Sequence, residues 1–515
     1  MSHLFLYGPS GAGKTTVGKL LAARLDLSFL DLDDEIEKTG AGGISGLFDR
    51  EGEAGFRAVE RRELERLAAR PGEVVIALGG GALLDPQSRT IAERSGRVLC
   101  LRASAGELLD RLQSDPGDRP LFENDLSPAL QRYLEMRSAH YDSFDLQLDT
   151  TWMSTDEAAA SAGRAFGAFR VTGMNRPYPV RVERGVLARL PDLLEAGGLT
   201  GPFALVADAN TAVYAERIAS ALSERGEQTS VTVIPAGEDQ KTIETVQTLW
   251  TAFVSAGLER RSTVVAAGGG VVCDLAGFAA ATYLRGVAWV AAPTSLLAMV
   301  DASLGGKTGA DLPQGKNLVG AFHPPSLVAA DIDTLSTLPA RELRNGLAEM
   351  VKAGVIGDPE LFDSYRGWDG GVPPPDWITR SMDVKIRTIE ADPLEKGPRA
   401  VLNFGHTVGH AVEHVSGYSL AHGEAVAIGM TVETALAEQL GIAEKGLSAR
   451  ITDRLAHLGL PTAIPSGLDR DRILEVMDRD KKVAGGRLRF ALPHRIGAVE
   501  VVEVGRGEVI EVLKV

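Results

Sequence analysis

The chain has 515 residues, which exceeds what one hydrophobic core normally serves, so two or three domains are expected. Its formal net charge is −15, and the absence of a basic block or tail argues against nucleic acid as a partner. The sequence has no apolar run of roughly eighteen residues, and its N-terminus leads directly into a strand and a glycine-rich loop, so we expect no membrane partner, no signal peptide and a cytoplasmic location.

The first part of the chain, residues 1–172, alternates short β-rich segments with longer helical ones, which predicts a parallel α/β domain. We predict strands at residues 4–7, 74–78 and 98–101, and a closing helix at residues 157–169. A turn-rich passage that includes Gly173 and Pro177 then precedes a new strand at residues 178–182. The domain boundary is therefore placed between residues 172 and 173.

The second part, residues 173–515, opens with further α/β alternation and becomes mostly helical from about residue 335. Its first predicted strands are at residues 203–207, 229–234 and 263–267. This pattern predicts an α/β part at about 176–334 followed by a helical part at about 335–515. Cys100 and Cys273 lie far apart in apolar surroundings, so we expect two core residues and neither a disulfide nor a thiolate metal site.

The segment from Gly8 to Thr15 matches the pattern G-x-x-x-x-G-K-[ST] of a phosphate-binding loop. An apolar strand precedes it and a helix with core-facing spacing follows it, which is the context that such a loop requires. Backbone N–H groups surround the phosphate oxygens, the lysine adds a positive charge, and the threonine hydroxyl reaches Mg²⁺. The predicted phosphate site consists of Gly8, Gly11, Ala12, Gly13, Lys14, Thr15 and Thr16.

Five further motifs follow this loop in a fixed order. They are Asp31-Leu-Asp33 after a strand, Phe56-Arg57 with Glu60 at the start of a helix, three glycines at residues 79–81, Asp118-Arg119-Pro120 in a polar loop, and Glu-Met-Arg ending at Arg137. Together they resemble shikimate kinase over residues 1–170. The physical logic agrees, because a hydroxyl nucleophile needs a carboxylate acceptor and a small acid pairs well with guanidinium groups.

The resemblance to shikimate kinase implies a role for each of these residues. ATP would be held by the phosphate loop and by Arg119, and Mg²⁺ by Thr15 and Asp31. Lys14 and Asp33 would be catalytic, with Asp33 as the base or orienting group. Shikimate would be bound by Asp33, Arg57, Gly79, Gly80, Gly81 and Arg137.

Four of the nine histidines fall within the segment 406–422, which indicates a metal site. His406, His410 and His414 share one face of a predicted helix, and Glu349 and Lys352 share a face of another. A carboxylate with two imidazoles suits Zn²⁺ or Co²⁺ and leaves a coordination position open. The residues alone leave open which histidines bind, and His406 with His410 on the helix and His422 in a loop is the arrangement that spacing suggests first.

A second set of motifs resembles 3-dehydroquinate synthase over about residues 176–515. These motifs are Gly268-Gly-Gly270-Val-Val-Cys-Asp274, Pro293-Thr-Ser-Leu-Leu-Ala-Met-Val-Asp301, Gly305-Gly-Lys307-Thr, Gly315-Lys316-Asn317, Gly346-Leu-Ala-Glu349-Met-Val-Lys352, Asn403-Phe-Gly-His406-Thr-Val-Gly-His410 and His422-Gly-Glu. The resemblance implies that Glu349, His406 and His422 are the metal ligands. His410 would lie beside the leaving phosphate, and His414 matches no functional position, so we expect a packing or surface residue.

The resemblance also implies a bound NAD⁺ and a phosphorylated keto-sugar acid as substrate, although no G-x-G-x-x-G fingerprint is present. The implied NAD⁺ residues are Asp208, Glu238, Lys241, Gly269, Gly270, Asp274, Thr294, Ser295, Asp301, Lys316, Thr337, Leu338 and Glu342. The implied substrate residues are Arg285, Asp301, Lys307, Asn317, Lys352, Lys385, Arg399, Asn403, His410 and Lys482. Lys352, Glu395 and His410 would be catalytic, the last two in proton handling.

The sequence therefore predicts a bifunctional enzyme with small-molecule substrates and, from the synthase resemblance, a homodimer formed through its second half. Two alternatives concern the halves separately. The first half could be a nucleotide-sensing module without catalysis, and the second half could be another sugar-phosphate cyclase or a metal-dependent polyol dehydrogenase. A simple dehydrogenase has no use for the cations Lys307, Lys385 and Arg399, and a sensor could lose Asp33 and Arg57, so the residues favour the two enzymes.

Overall fold

The computed structural model describes residues 3–38, 43–114, 126–479 and 487–513. The chain divides into two compact units, Met1–Arg170 and Val171–Val515. The predicted boundary between residues 172 and 173 is close to this division and stays a prediction. Among the helices of the described residues, none combines the length and the apolar character that crossing a bilayer requires.

The first unit is built on a five-stranded sheet whose characterised pairings are parallel and whose strand order is β2-β3-β1-β4-β5. The strands are β1 (His3–Tyr7), β2 (Ser28–Asp31), β3 (Val74–Ala77), β4 (Gly96–Arg102) and β5 (Leu146–Asp149). The central strands β1 and β3 are buried along their whole length, because helices cover both faces of a parallel sheet. Two clusters of buried apolar side chains, one containing Leu6 and the other Phe5, form the core of this unit.

In the described residues of the first unit, seven helices accompany this sheet, and the last of them corrects the sequence prediction. They are α1 (Lys14–Leu25), α2 (Leu32–Glu37), α3 (Gly43–Ala68), α4 (Pro86–Ser95), α5 (Ala105–Ser114), α6 (Leu126–Tyr141) and α7 (Thr155–Ala165). The helix predicted at residues 157–169 ends at Ala165, and a short strand, β6 (Ala168–Val171), follows it. Gly167 has a φ of 58°, and this left-handed conformation ends the helix and turns the chain.

The second unit begins with a larger parallel sheet and a hairpin. Its strands are β7 (Tyr178–Glu183), β8 (Phe203–Asp208), β9 (Thr229–Ile234), β10 (Thr263–Gly268), β11 (Ala288–Pro293), β12 (Lys307–Leu312), β13 (Gly315–Phe322) and β14 (Leu327–Asp331). The parallel strands lie in the order β7-β14-β11-β10-β8-β9, and β12 pairs with β13 as an antiparallel hairpin that the sequence analysis did not predict. The chain leaves β8 toward β9 on one side and β10 toward β11 on the other. Such a reversal opens a crevice at the carboxyl ends of the two strands.

The remainder of the second unit is mostly helical, which confirms the predicted change of character. The helices of this unit are α8 (Leu190–Ala196), α9 (Ala212–Ser223), α10 (Ile243–Ser255), α11 (Gly270–Thr282), α12 (Ala340–Gly357), α13 (Pro359–Ser364), α14 (Pro375–Ala391), α15 (His406–Val415), α16 (His422–Gln439), α17 (Leu447–His457), α18 (Arg470–Arg479) and α19 (Arg506–Leu513). A second hairpin, β15 (Arg487–Arg495) with β16 (Ala498–Gly505), interrupts them and packs Phe490 into the apolar core that α15 and α16 share. Both cysteines are buried, as predicted.

Candidate active sites

The phosphate loop connects β1 to α1 and forms the floor of a cavity of about 580 Å³. Gly8 has a φ of 132°, and a Cβ atom there would lie 2.1 Å from the carbonyl oxygen of Leu101, so only glycine fits. Lys14 Nζ donates hydrogen bonds to the carbonyl oxygens of Gly8 and Pro9, at 2.9 and 3.0 Å. The lysine thus lies across the loop. Arg119, which was predicted to hold ATP, lies outside the described residues.

The residues predicted to hold Mg²⁺, Thr15 and Asp31, contact each other in the cavity of the phosphate loop. Thr15 Oγ1 donates a hydrogen bond to Asp31 Oδ2 at 2.7 Å. Asp31 is the last residue of β2, and its other carboxylate oxygen accepts the backbone N–H of Asp33 at 3.1 Å and so caps α2. A hydroxyl and a carboxylate in contact offer the oxygen ligands that a hard cation requires.

The predicted acceptor pocket brings Asp33, Arg57 and the glycines together. A Cβ atom on Gly79 would lie 3.0 Å from Asp33 Oδ1, and one on Gly81 would lie 2.6 Å from Arg57 Nη2. The glycines therefore keep space open between the charged groups. Arg57 Nη1 also donates to Glu60 Oε2 at 2.6 Å, and Glu60 is a buried acid that was quoted in the motif but not predicted as a site residue.

Arg137 reaches the same pocket from α6. Its Nη1 donates to the carbonyl oxygen of Gly80 at 3.3 Å, and its guanidinium lies 4.2 Å from the ring centre of Tyr133. The hydroxyl of Tyr141 donates to the same carbonyl at 2.8 Å. The sequence analysis missed both tyrosines, although their spacing of four residues on either side of Arg137 places all three side chains on one helix face.

Burial changes the protonation of the acids in this pocket. Burial, reinforced by the neighbouring Asp31, raises the pKa of Asp33 to about 6. Burial also raises the pKa of Glu60 to about 7, although the Arg57 guanidinium opposes the shift. The acceptor pocket therefore contains two carboxyl groups that titrate within reach of neutral pH.

In the second unit, α12, α15 and α16 bring Glu349, His406 and His422 together. Glu349 Oε1 lies 3.5 Å from His406 Nε2 and 3.6 Å from His422 Nε2. Ligand atoms at about 2.1 Å from a tetrahedral Zn²⁺ lie about 3.4 Å apart, so these distances fit a common ion. Glu349 Oε1 is buried and accepts no hydrogen bond within the part of the chain that the structure describes. Such an oxygen is costly without a partner, and a cation would satisfy it.

The two imidazoles are oriented by other groups. His406 Nδ1 lies 3.2 Å from the carbonyl oxygen of Phe404, and His422 Nδ1 lies 3.6 Å from Glu413 Oε2, so each ring turns Nε2 toward Glu349. Glu413 was not predicted. His422 was expected in a loop, but it is the first residue of α16, where Glu424 accepts the backbone N–H of Ala421 at 2.8 Å and fixes the helix start.

The remaining histidines separate into two environments. The His410 ring centre lies 5.1 Å from that of His406, and His410 also forms a group with Glu413 and His422 that could accept a metal ion. His414 is exposed, with its Nδ1 3.1 Å from the hydroxyl of Tyr418. It lies outside both of these candidate groups.

The helix that carries His406 is held by a buried acid that the sequence analysis also missed. Glu433 accepts the backbone N–H groups of Gly405 at 2.7 Å and Val408 at 3.0 Å. Burial raises the pKa of this carboxyl to about 8. Glu433 therefore fixes the N-terminus of α15 and, with it, the position of His406.

Three of the predicted substrate cations, Lys352, Lys385 and Lys307, are paired with acids. Lys352 contacts Glu349, and Lys385 contacts Asp301 and donates to its backbone oxygen at 2.6 Å. Lys307 contacts Glu395, whose other oxygen accepts a hydrogen bond from Asn403 at 3.3 Å. Arg285 is exposed in a turn with a φ of 68°, and among the described residues it has no ion pair. Lys482 lies outside the described residues.

Arg399 differs from the other cations because it is almost completely buried. It is 2% exposed, its Nη1 donates to the carbonyl oxygen of Pro393 at 2.7 Å, and its Nε has no hydrogen-bond partner within the described residues. A Cβ atom on Gly305 would lie 2.5 Å from Arg399 Nη2, so the missing side chain keeps this face of the guanidinium open. A buried guanidinium of this kind suits an anionic ligand.

Two of the predicted NAD⁺ residues, Asp208 and Gly269, lie at the carboxyl ends of β8 and β10. Asp208 ends β8, and Gly269 is the N-cap of α11, whose Asp274 pairs with Lys241 at 2.6 Å. Lys241 also donates to Asn317 at 2.6 Å. The other members are Glu238 in contact with Lys316, Gly270 at the start of α11, Thr294 and Ser295 after β11, Asp301 in contact with Lys385, Thr337 in contact with Tyr214, Leu338 at the end of a 3₁₀ turn, and Glu342 in the first turn of α12.

Comparisons with known proteins agree with both sets of motifs. The family model of shikimate kinase matches residues 10–164, and those of the N-terminal and C-terminal parts of 3-dehydroquinate synthase match residues 231–345 and 346–483. The 3-dehydroquinate synthase of Symbiobacterium thermophilum is 48% identical over 333 residues, which cover 63% of this chain and 93% of that protein.

Two solved structures resemble the second unit. The 2-epi-5-epi-valiolone synthase of Streptomyces hygroscopicus, solved with NAD⁺ and Zn²⁺, is 32% identical with a TM-score of 0.61, and the match covers 67% of this chain and 98% of that one. A 2-deoxy-scyllo-inosose synthase, solved with carbaglucose-6-phosphate, NAD⁺ and Co²⁺, is 25% identical with a TM-score of 0.61, covering 67% and 99%. The chain therefore belongs to the 3-dehydroquinate synthase family in its second unit and carries a shikimate kinase domain in its first.

Proposed function

We propose that the protein performs two reactions of the shikimate pathway. The first unit phosphorylates shikimate to shikimate 3-phosphate with ATP. The second converts 3-deoxy-D-arabino-heptulosonate 7-phosphate to 3-dehydroquinate with release of phosphate. The observation that carries this proposal is that one chain contains a phosphate loop in the pocket of Asp33 in its first unit, and a Glu349–His406–His422 cluster together with the buried Arg399 in its second.

In the kinase unit, the residues of the acceptor pocket divide the work of binding and proton transfer. Arg57 and Arg137 pair with the carboxylate of shikimate, with Gly79 to Gly81 leaving room for its ring. Because the pKa of Asp33 is about 6, this carboxylate is ionised at neutral pH and accepts the proton of the attacking hydroxyl.

The nucleotide side of the kinase unit uses the loop and its cation. Lys14 and the loop N–H groups hold the transferred phosphate, and Arg119 contributes to nucleotide binding. Thr15 and Asp31 would hold Mg²⁺, which neutralises phosphate charge when it is bound.

In the synthase unit, Glu349, His406 and His422 fit Zn²⁺ or Co²⁺, and the ion would polarise a substrate hydroxyl when it is bound. The crevice between β8 and β10 fits NAD⁺, which is a reversible hydride acceptor. Lys352, which contacts Glu349, would orient the substrate hydroxyl that the metal polarises. Lys385 and Arg399 bind the substrate carboxylate. Glu395 and His410 transfer protons. The residues that bind the substrate phosphate are Arg285, Lys307, Asn317, Asn403, His410 and Lys482.

The alternative activities fit less well. A polyol dehydrogenase has no use for the buried Arg399 or for Lys307 and Lys385, because its substrate carries no carboxylate or phosphate. Other sugar-phosphate cyclases share the fold, but those named above are 25% and 32% identical, compared with 48% for a 3-dehydroquinate synthase. A nucleotide sensor would not require Asp33 and Arg57 to converge on one pocket.

One experiment tests both reactions. Purified protein is mixed with NAD⁺, Zn²⁺ and the seven-carbon keto-sugar acid phosphate, and free phosphate is measured; a second sample receives ATP and shikimate, and ADP is measured. Phosphate release that requires NAD⁺ and metal, and ADP formation that requires shikimate, support the proposal. ATP hydrolysis that does not depend on shikimate would contradict the kinase assignment.

We also propose that the protein forms a homodimer through its second unit, which sedimentation tests. A cytoplasmic location is proposed as well, and cell fractionation tests it.

A further inference from the structure

Lys316 connects a predicted dinucleotide residue, Glu238, with Glu413, which lies beside the metal cluster. It lies on β13 of the hairpin, and its Nζ is 3.0 Å from Glu238 Oε1 and 2.9 Å from Glu413 Oε1. The ammonium also lies 4.6 Å from the ring centre of Tyr418. One cation is therefore shared between two carboxylates that belong to distant segments of the chain.

Glu413, on the metal side of Lys316, is a buried acid that contacts a metal ligand. It is 5% exposed, and its Oε2 lies 3.6 Å from His422 Nδ1. Glu349 lies at the same distance from the opposite nitrogen, Nε2. The His422 ring is thus held between two carboxylates, one of which faces the metal position and one of which does not. A carboxylate behind a metal-bound imidazole fixes its tautomer and orientation and increases its basicity.

Glu238, on the other side of Lys316, belongs to the dinucleotide crevice. It begins the short 3₁₀ turn Glu238–Gln240, and the next residue, Lys241, pairs with Asp274 of α11. The backbone N–H of Asp311, on β12, donates to the carbonyl oxygen of Lys241 at 2.7 Å, which ties this segment to the hairpin. A dinucleotide that binds Glu238 therefore competes with Lys316 for the Glu238 carboxylate or reorients it.

We propose that Glu413 is a positioning residue for His422, and that Lys316 couples occupancy of the dinucleotide crevice to the affinity of the metal site. This inference rests on the proposed function, because it needs both ligands to bind the second unit. When a dinucleotide hydroxyl takes the Glu238 carboxylate, Lys316, itself a predicted NAD⁺ residue, keeps its ion pair with Glu413 and holds that carboxylate behind His422. Coupling between two binding sites is reciprocal, so metal binding strengthens dinucleotide binding by the same factor.

The test measures binding and not turnover. Metal-free full-length protein is titrated with Co²⁺, whose visible absorption reports the coordination geometry, without and with saturating NAD⁺. In the parent protein, NAD⁺ should increase Co²⁺ affinity by about 5-fold or more, the lower end of typical couplings. Lys316→Met should reduce this factor to one, and Lys316→Arg, which keeps the charge, should retain most of it. Glu413→Gln should weaken Co²⁺ binding itself by about 10- to 100-fold.

A matched control is Arg341→Met, which removes an exposed ion pair between Arg341 and Glu424. Glu424 lies on the same helix as His422, but this ion pair does not include the His422 ring. The Co²⁺ affinity and NAD⁺ factor of this variant should equal those of the parent. If Lys316→Met keeps the parent's factor, or if NAD⁺ has no effect on Co²⁺ binding in the parent, the coupling is wrong. If Glu413→Gln binds Co²⁺ as tightly as the parent while remaining folded by circular dichroism, the positioning role is wrong. Failure of the proposed reactions would show instead as absent phosphate release, even where both ligands bind.

Discussion

Asp33 and Gly79 lie so close together that a Cβ atom on Gly79 would be 3.0 Å from Asp33 Oδ1. The same atom would lie 3.2 Å from Glu60 Oε1. The glycine after β3 therefore gives the proposed catalytic carboxylate its access to the acceptor pocket. Any side chain there would push against two acids at once.

We expect Gly79→Ala to raise the KM for shikimate and to lower kcat by roughly tenfold or more, since a displaced reacting group loses much of the benefit of orientation. The KM for ATP should change little, because the atoms nearest to that Cβ belong to Asp33 and Glu60 and not to the phosphate loop. Steady-state kinetics with each substrate varied separately check this. Gly106→Ala is the matched control, since a Cβ atom there meets nothing within 4 Å. An unchanged shikimate KM in Gly79→Ala would remove Gly79 from the pocket.

The acidity of Asp33 predicts the pH dependence of the kinase. Because burial raises the pKa of Asp33 to about 6, the fraction of ionised carboxylate falls as pH decreases through 6. We expect kcat/KM for shikimate to fall tenfold per pH unit below that value. A profile that stays flat down to pH 5 would exclude Asp33 as the base.

The same shift makes Asp33 a destabilising residue at neutral pH. Its folded pKa lies above its ordinary value of 3.8, so the folded state binds more protons between these values and this group stabilises the fold as pH falls from 7 to 4. Asp33→Asn removes the buried charge. It should abolish phosphorylation and yet increase the free energy of unfolding of the first unit by up to about 3 kcal/mol at pH 7, with a smaller difference at pH 4. Urea unfolding at both values of pH measures it.

The two active sites should respond separately to mutation. Lys14→Met removes the cation that lies across the phosphate loop, so it should reduce shikimate phosphorylation by at least 100-fold and spare the cyclase. His422→Ala removes a proposed metal ligand, so it should lower the metal content and abolish phosphate release while sparing the kinase. Loss of both activities from either substitution in a folded protein would contradict independence.

Sequence motifs identify candidate site residues most directly where one short segment supplies both the backbone conformation and the reacting group. The loop at Gly8 and the helix carrying Glu349 and Lys352 are such segments. The pairing of Lys316 with Glu413 could not be predicted, because these residues are 97 positions apart and meet only through the unpredicted hairpin β12–β13.

The errors in element boundaries have local causes. The helix predicted to reach residue 169 ends early because Gly167 adopts a left-handed conformation, which a glycine permits but does not require. His422 was assigned to a loop because Ala421 lacks a capping side chain, and the helix start depends instead on Glu424 accepting the Ala421 N–H.

The two tyrosines of the acceptor pocket, Tyr133 and Tyr141, were not predicted, because aromatic residues at helical spacing ordinarily indicate core packing.

The synthase reaction should use NAD⁺ without consuming it. The keto-sugar acid phosphate and the sum of 3-dehydroquinate and phosphate are at the same oxidation level, so any hydride taken by the cofactor must be returned. We expect the absorbance of NADH to stay near zero while many equivalents of phosphate accumulate per enzyme. Stoichiometric NADH would identify a dehydrogenase. Omitting the sugar phosphate provides the baseline.

The two units should function after separation. The cyclase product, 3-dehydroquinate, is two reactions away from shikimate, since a dehydration and a reduction stand between them, so direct transfer between the two sites has no chemical basis. Each unit also has its own buried apolar clusters, around Leu6 and Phe5 in the first and around Leu205 and Phe490 in the second. A domain with its own core can fold alone.

We therefore expect residues 1–172 and 173–515, expressed separately, to fold and to keep activities within a few-fold of those in the whole chain. Circular dichroism and the two assays check each fragment, and the whole chain is the reference. The kinase fragment should unfold at lower temperature, because a smaller chain buries a smaller fraction of its surface. The synthase fragment should keep any subunit contacts, and sedimentation at several concentrations tests this. A fragment that is inactive alone and recovers only when the other is added would mean that the two units depend on each other for folding, and that residues 172 and 173 do not mark a domain boundary.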